Sequence, residues 1–188
     1  MLFPFLNLRI IFGTKTTFKC HFYVVISGDI RPNFIKKKMK TIFNTTARAE
    51  LIQRIELLTP NNTAQWGKMN VYQMIKHCTI WNDWILGRNK HHYKQEFLGK
   101  IFGKMALKGM IKDDKPLKKN VPAGIFAVKD NKGQVTASQK KNWTEQIESY
   151  GHYSNPDFIH DFFGKMDTEE IGILVYKHMD HHLRQFGV

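Results

Sequence analysis

His178 and His182 stand four residues apart in the stretch DTEEIGILVYKHMDHHLRQFGV, Asp167 to Val188. On a helix this spacing stacks two imidazoles one above the other, roughly 5 to 6 Å apart at Cβ, within reach of one metal ion. Neutral imidazole is a ligand for Zn²⁺, Ni²⁺ and related divalent ions. By itself H-x-x-x-H is a weak signal. The Glu that follows the first His in a zinc-protease helix is absent here, its place taken by Met179.

The stretch that must position the pair reads as one helix. Asp167 followed three residues later by Glu170 is a capping-box start, and Gly187 is a natural stop after a run without proline. At about 100° per residue, Ile171, Val175, His178, His182 and Phe186 share one stripe, while Asp180 and Arg184 project from the other side and His181 lies on the flank. Two imidazoles facing a core with no partner would each cost on the order of 1 to 3 kcal/mol, so something is expected to satisfy them.

Three further amphipathic segments precede this helix. Asn44 caps TTARAELIQRIELL, with Leu51, Ile55 and Leu58 on its packing stripe and Pro60 beyond its end. A second helix is expected from about Lys68 to Leu86, stopped by Gly87, with Val71, Met74, Ile75, Cys78, Trp81 and Ile85 inward. His77 sits on the margin of that stripe, on the side of Asn70, Trp81 and Trp84, where a lone His is more often a hydrogen-bonded core residue than a ligand. Cys78, near the stripe's centre, reads as a packed hydrophobe. Thr136 or Ser138 opens a third helix, QKKNWTEQIESY, packed by Trp143 and Ile147 and closed by Gly151.

Between the second and third of these helices the pattern is irregular. A short helix around Phe102 to Met110 fits within a long crossover; KDDKPLKKNVPAG reads as extended loop, and IFAVKDNKGQVT as a hairpin about Asn131 to Gly133 or a strap across the bundle. His91 and His92 are expected at the surface, and a loop carrying His152, Pro156 and His160 leads into FFGKM and the last helix. No internal repeat, phosphate-cradling glycine loop or Gly-x-Ser-x-Gly elbow occurs, which removes the commonest nucleotide-binding and serine-hydrolase readings.

At 188 residues, 42% apolar and 13% aromatic, the chain suits a single globular domain. Two cysteines, Cys20 and Cys78, are too few for a disulfide framework and point to a reducing, cytoplasmic setting. No run of 18 apolar residues occurs, so neither a transmembrane helix nor a membrane partner is expected. Residues 1–38 differ from the rest and end at IKKK, just before Met39; they read as a mis-assigned start or a disordered leader ahead of one domain, 39–188. That leader carries seven basic residues against Asp29, so the formal net charge of +13 falls to +7 for residues 39–188. The remaining lysines form no aromatic-interleaved pattern and read as solvated surface, with no nucleic-acid partner.

Four amphipathic helices, a long link between the second and third, a His in the middle of the second and H-x-x-x-H in the fourth together resemble the DinB/YfiT-like superfamily of metalloenzymes. FFGKM followed by YKHMDHHLRQFGV is similar to a branch of it known as a domain of unknown function. The likeness covers residues 39–188. It implies an all-α four-helix bundle with a long crossover between helices 2 and 3, and a metal triad at His77, His178 and His182. Three imidazoles would leave one coordination position open, the arrangement of a catalytic site. The resemblance further implies a low-molecular-weight thiol as the activated group.

The expectation is therefore a metal-dependent transferase, or a related hydrolase or isomerase, using Zn²⁺ or Ni²⁺ on a small-molecule substrate, with Tyr176, Tyr72, Asp83 and Arg184 as candidates to orient it. The competing expectation is a non-catalytic, stress-associated bundle protein that binds metal or none and acts as a binding module or homodimer. The absence of an evident general base favours the second, and the open three-His set favours the first.

Overall fold

The computed structural model describes residues 39–88, 92–121 and 124–188. Five helices account for most of them: α1, Thr45–Glu56; α2, Val71–Leu86; α3, Phe97–Ile111; α4, Ala137–Ser149; and α5, Thr168–Gln185. One antiparallel ribbon, β1 (Ile159–His160) with β2 (Gly164–Lys165), pairs Ile159 with Lys165 and His160 with Gly164. The described residues are thus predominantly helical, as the amphipathic patterning implies. The expectations for residues 1–38 and for His91 lie outside the described residues.

Capping chemistry sets the helix starts. The Asn44 side chain accepts from the Ala47 amide at 3.1 Å to open α1. Full capping boxes open α2 (Asn70 with Gln73), α4 (Thr136 with Gln139) and α5 (Asp167 with Glu170). The first of these boxes corrects the sequence expectation: Asn70 adopts extended backbone at φ −80°, ψ 172°, so α2 begins at Val71 and not at Lys68. Gly87 closes α2 in the left-handed region at φ 69°, which a residue with a Cβ enters only at a cost. α4 stops at Ser149, before Gly151, and passes into a 3₁₀ turn over Tyr150–His152.

α2 packs against α4, α1 against both α4 and α5, and α5 against α2 and α3. Leu51, Ile55, Met74, Ile75, Trp143, Ile147, Met179 and Leu183 are buried between them. A polar ladder crosses this core. The Tyr150 hydroxyl donates to Asn82 Oδ1 at 3.0 Å, and the Gln146 amide donates to Asp83 Oδ1 at 2.7 Å and to the Thr79 carbonyl at 3.1 Å. Burying those groups is tolerable because each finds a partner.

Two stretches were less legible. The crossover contains a full helix of 15 residues, α3, longer than the Phe102–Met110 expectation, so the described residues hold a fifth helix of full length beside the four amphipathic ones. Residues 127–135 form no hairpin; they run as a strap along α2, with Asn70 donating to the Asn131 carbonyl, Gln73 to the Val128 carbonyl and Tyr72 to Asp130. The loop expected to carry His160 is the β1–β2 ribbon, in which His160 Nδ1 accepts from the Phe162 and Phe163 amides at 3.1 and 3.3 Å and closes the turn.

Candidate metal centre

α2 carries His77 and α5 carries His178 and His182 to the same point. His178 Nε2 lies 3.1 Å from His77 Nε2 and 3.2 Å from His182 Nε2. The ligand atoms of the three all lie within 4.8 Å of one another. A tetrahedral ion with bonds near 2.0 to 2.1 Å places its ligand nitrogens about 3.3 Å apart, so the spacing suits one small divalent cation.

The other ring nitrogens show how two of these imidazoles are prepared. His77 Nδ1 donates to the Phe126 carbonyl at 2.9 Å, from the 3₁₀ turn Gly124–Phe126. A neutral ring protonated at Nδ1 carries its lone pair on Nε2, which faces the other histidines. His182 is set the same way through a longer relay. Gln185 Nε2 donates to the Trp66 carbonyl at 2.7 Å, which leaves Gln185 Oε1 as an acceptor, and His182 Nδ1 donates to it at 2.9 Å. Both outer rings thus turn lone pairs inward, as ligand-orienting partners do around bound metals. His178 Nδ1 is buried without a partner, and the ring lies tilted by 34° against Trp81 with centroids 4.1 Å apart. In the metal-free array, one Nε2–H on His178 can be shared between the two facing lone pairs; ligating through Nε2 moves that proton to Nδ1.

Electrostatics keep the rings neutral. Burial holds His77 below its ordinary range, against the Phe126 carbonyl, which acts the other way. Burial, then His182 and His77, hold His178 well below it. For His182, burial and the neighbouring His77 bring the pKa to about 3 despite the Gln185 bond. Three neutral imidazoles at neutral pH form a ligand set ready for a cation.

His181, on the flank of the stripe, stays out of the cluster and is buried. Its ring meets Trp66 at 5.5 Å, and it lines a groove of about 430 Å³ with Trp66, Leu117, Lys119 and Arg184. The Cys78 thiol is fully buried against Met74, and burial raises its pKa well above the ordinary value, as befits a packed hydrophobe. His92 and His152 are exposed.

None of the four orienting candidates is hydrogen-bonded to the three imidazoles. Tyr176 buries its ring and donates its hydroxyl to Glu50 on α1 at 3.1 Å. Tyr72 donates to Asp130, Asp83 accepts from Gln146, and Arg184 is exposed at the groove. The residues that do support the cluster are Gln185, Trp81 and the carbonyls of Phe126 and Trp66. Gln185, three residues after His182, had a readable helical spacing; backbone carbonyls from distant loops leave no mark in a sequence. Compared with family models, with curated proteins and with solved structures, the chain matches none, so the chemistry of this site rests on its own geometry.

Proposed function

We propose that residues 39–188 are a DinB/YfiT-like metalloprotein in which α1, α2, α4 and α5 form the bundle and α3 lies in the crossover. In this reading His77, His178 and His182 hold one divalent ion, Zn²⁺ or Ni²⁺ by the all-imidazole donor set. The observation that carries it is the convergence of three Nε2 atoms, two of them with lone pairs fixed inward by Phe126 and Gln185. When bound, such an ion lowers the pKa of a water or thiol at its open position and so supplies a nucleophile at neutral pH. The chain's own part is to hold the ligands rigid and neutral, and Trp81 shields one side of His178 from water. The substrate is then a small electrophile and the co-substrate a low-molecular-weight thiol, in the cytoplasm.

A second reading is favoured by one observation: no acid, base or tyrosine among the orienting candidates is hydrogen-bonded to the cluster. A non-catalytic bundle protein, with metal or without it, would need none. Elemental analysis of purified protein together with a thiol-transfer assay separates the two. One ion per chain with metal-dependent turnover supports the enzyme, absence of turnover across thiols and electrophiles, with or without an ion, supports the second reading, and no stoichiometric ion overturns the metalloenzyme.

A further inference from the structure

α3 is mounted the wrong way round for an ordinary packing helix. Its sequence, FLGKIFGKMALKGMI, offers large apolar side chains, yet the face it turns inward is Gly99, Gly103 and Leu107. A Cβ on Gly99 or Gly103 would overlap the Phe162 carbonyl, so the helix backbone rests directly on the β1–β2 turn. Other bonds hold this orientation. The Glu96 amide donates to the Asp161 carbonyl at 2.7 Å, Lys104 bonds to the Lys165 carbonyl, and the buried Lys177 of α5 donates to the carbonyls of Met110 and Asp113 at 2.6 and 2.7 Å.

The outer face is left bare. Phe97, Leu98, Ile101, Phe102 and Met105 are 75, 60, 56, 48 and 69% exposed. At about 100° per residue they occupy one arc of roughly 140°, where a soluble surface helix carries its polar residues. Lys100, Lys104, Lys108 and Lys112 are all exposed; the first two border the arc, and the others enter it toward the C-terminal end. α3 contains no acidic residue.

We propose that α3 is a membrane-surface helix: it lies flat on a bilayer containing anionic phospholipid, with Phe97, Leu98, Ile101, Phe102 and Met105 in the headgroup boundary and Lys100, Lys108 and Lys112 on lipid phosphates, Lys104 being held by the Lys165 carbonyl and Glu170. Apolar residues on one side with lysines at the margin are the signature of interfacial binding. The expectation of no membrane partner rests on spanning length. No described helix is long and apolar enough to cross a membrane, which does not bear on one lying in its surface. Charge decides against a second copy as the occupant. A two-fold pair of these faces would bury Lys108 and Lys112 with no acid on the facing helix to pair with. At a bilayer the same side chains reach water and phosphate.

The test is sedimentation of the full chain with vesicles of phosphatidylcholine alone or with about a third phosphatidylglycerol, at low and high salt. Binding to the anionic vesicles, weakened by salt and lost by roughly tenfold or more in the Ile101→Glu/Phe102→Glu double variant, is expected. Both changes are at exposed positions, so circular dichroism and Tm should match the parent. Lys108→Glu/Lys112→Glu should lose the preference for anionic lipid while keeping the fold. Equal binding by the double variant would place the contact elsewhere in the chain, residues 1–38 included, and overturn the proposal. Absence of vesicle binding overturns it too, as does a parent dimer in analytical ultracentrifugation that the double variant converts to monomer without any lipid effect.

Discussion

α5 and α3 each break the rule that apolar residues face inward and polar ones outward, and they break it in opposite senses. α5 turns polar imidazoles into the protein; α3 turns phenylalanines out of it. The inward polar groups are tolerable because they meet one another and fixed acceptors: of the six ring nitrogens in the cluster, only His178 Nδ1 lacks a partner. The outward apolar groups have no such compensation within the described residues. In both helices the departure marks the face that is expected to meet something other than protein: a cation in one case, a lipid surface in the other.

Removing an imidazole from the cluster is expected to have the largest effect. His77→Ala, His178→Ala and His182→Ala should each lose the stoichiometric ion in elemental analysis at neutral pH, while His181→Ala, one position away, keeps it. The parent should gain about 2.7 kcal/mol of stability at a hundredfold excess of metal over Kd, a gain absent from the three variants. Retention of the ion by His77→Ala would separate α2 from the site.

Next in size is the seat of α3. Gly103→Val forces a side chain against the Phe162 backbone and should cost about 1 to 3 kcal/mol in denaturant unfolding. A smaller loss would mean that the helix can lift from the ribbon without consequence.

The relay to His182 is then tested by Gln185→Leu. With no acceptor for Nδ1–H the ring loses its tautomer preference, and metal affinity measured by competition with a chelator should fall about 10- to 100-fold. Unchanged affinity would show that packing alone orients the ring.

The pH dependence of the metal-free protein is expected to be smaller per unit. The folded pKa of His182 lies at about 3, below the ordinary value of 6.5, so the native state binds fewer protons than the unfolded chain. Its contribution is fully present above about 6.5 and declines as pH falls toward 3, by about 1.4 kcal/mol per unit, with His77 and His178 adding in the same direction. Chemical denaturation between pH 7 and 5 measures the slope, and a flat profile would contradict burial of the neutral rings. The smallest effect is Gly109→Ala on the open side of α3, where an added Cβ meets nothing within 4 Å. It should stabilise by up to about 1 kcal/mol through helix propensity, in contrast to Gly103.

The features legible from residue order alone are local ones. The capping box at Asp167, the cap at Asn44, the stop at Gly87, the packing stripes of α1 and α2 and the stacking of His178 over His182 depend on spacings of about seven residues or fewer. Helix geometry turns such spacings into positions without reference to the rest of the chain. Tertiary structure decided which nitrogen each ring presents, because the acceptors come from Phe126 and from Gln185 held by Trp66, 49 and 119 residues away from the groups they bind. It also decided that α3 lies glycine side down. Its amphipathicity is symmetric as a pattern, with a small-residue face and a large-residue face, and only the close approach of the Phe162 backbone selects the one that admits no Cβ.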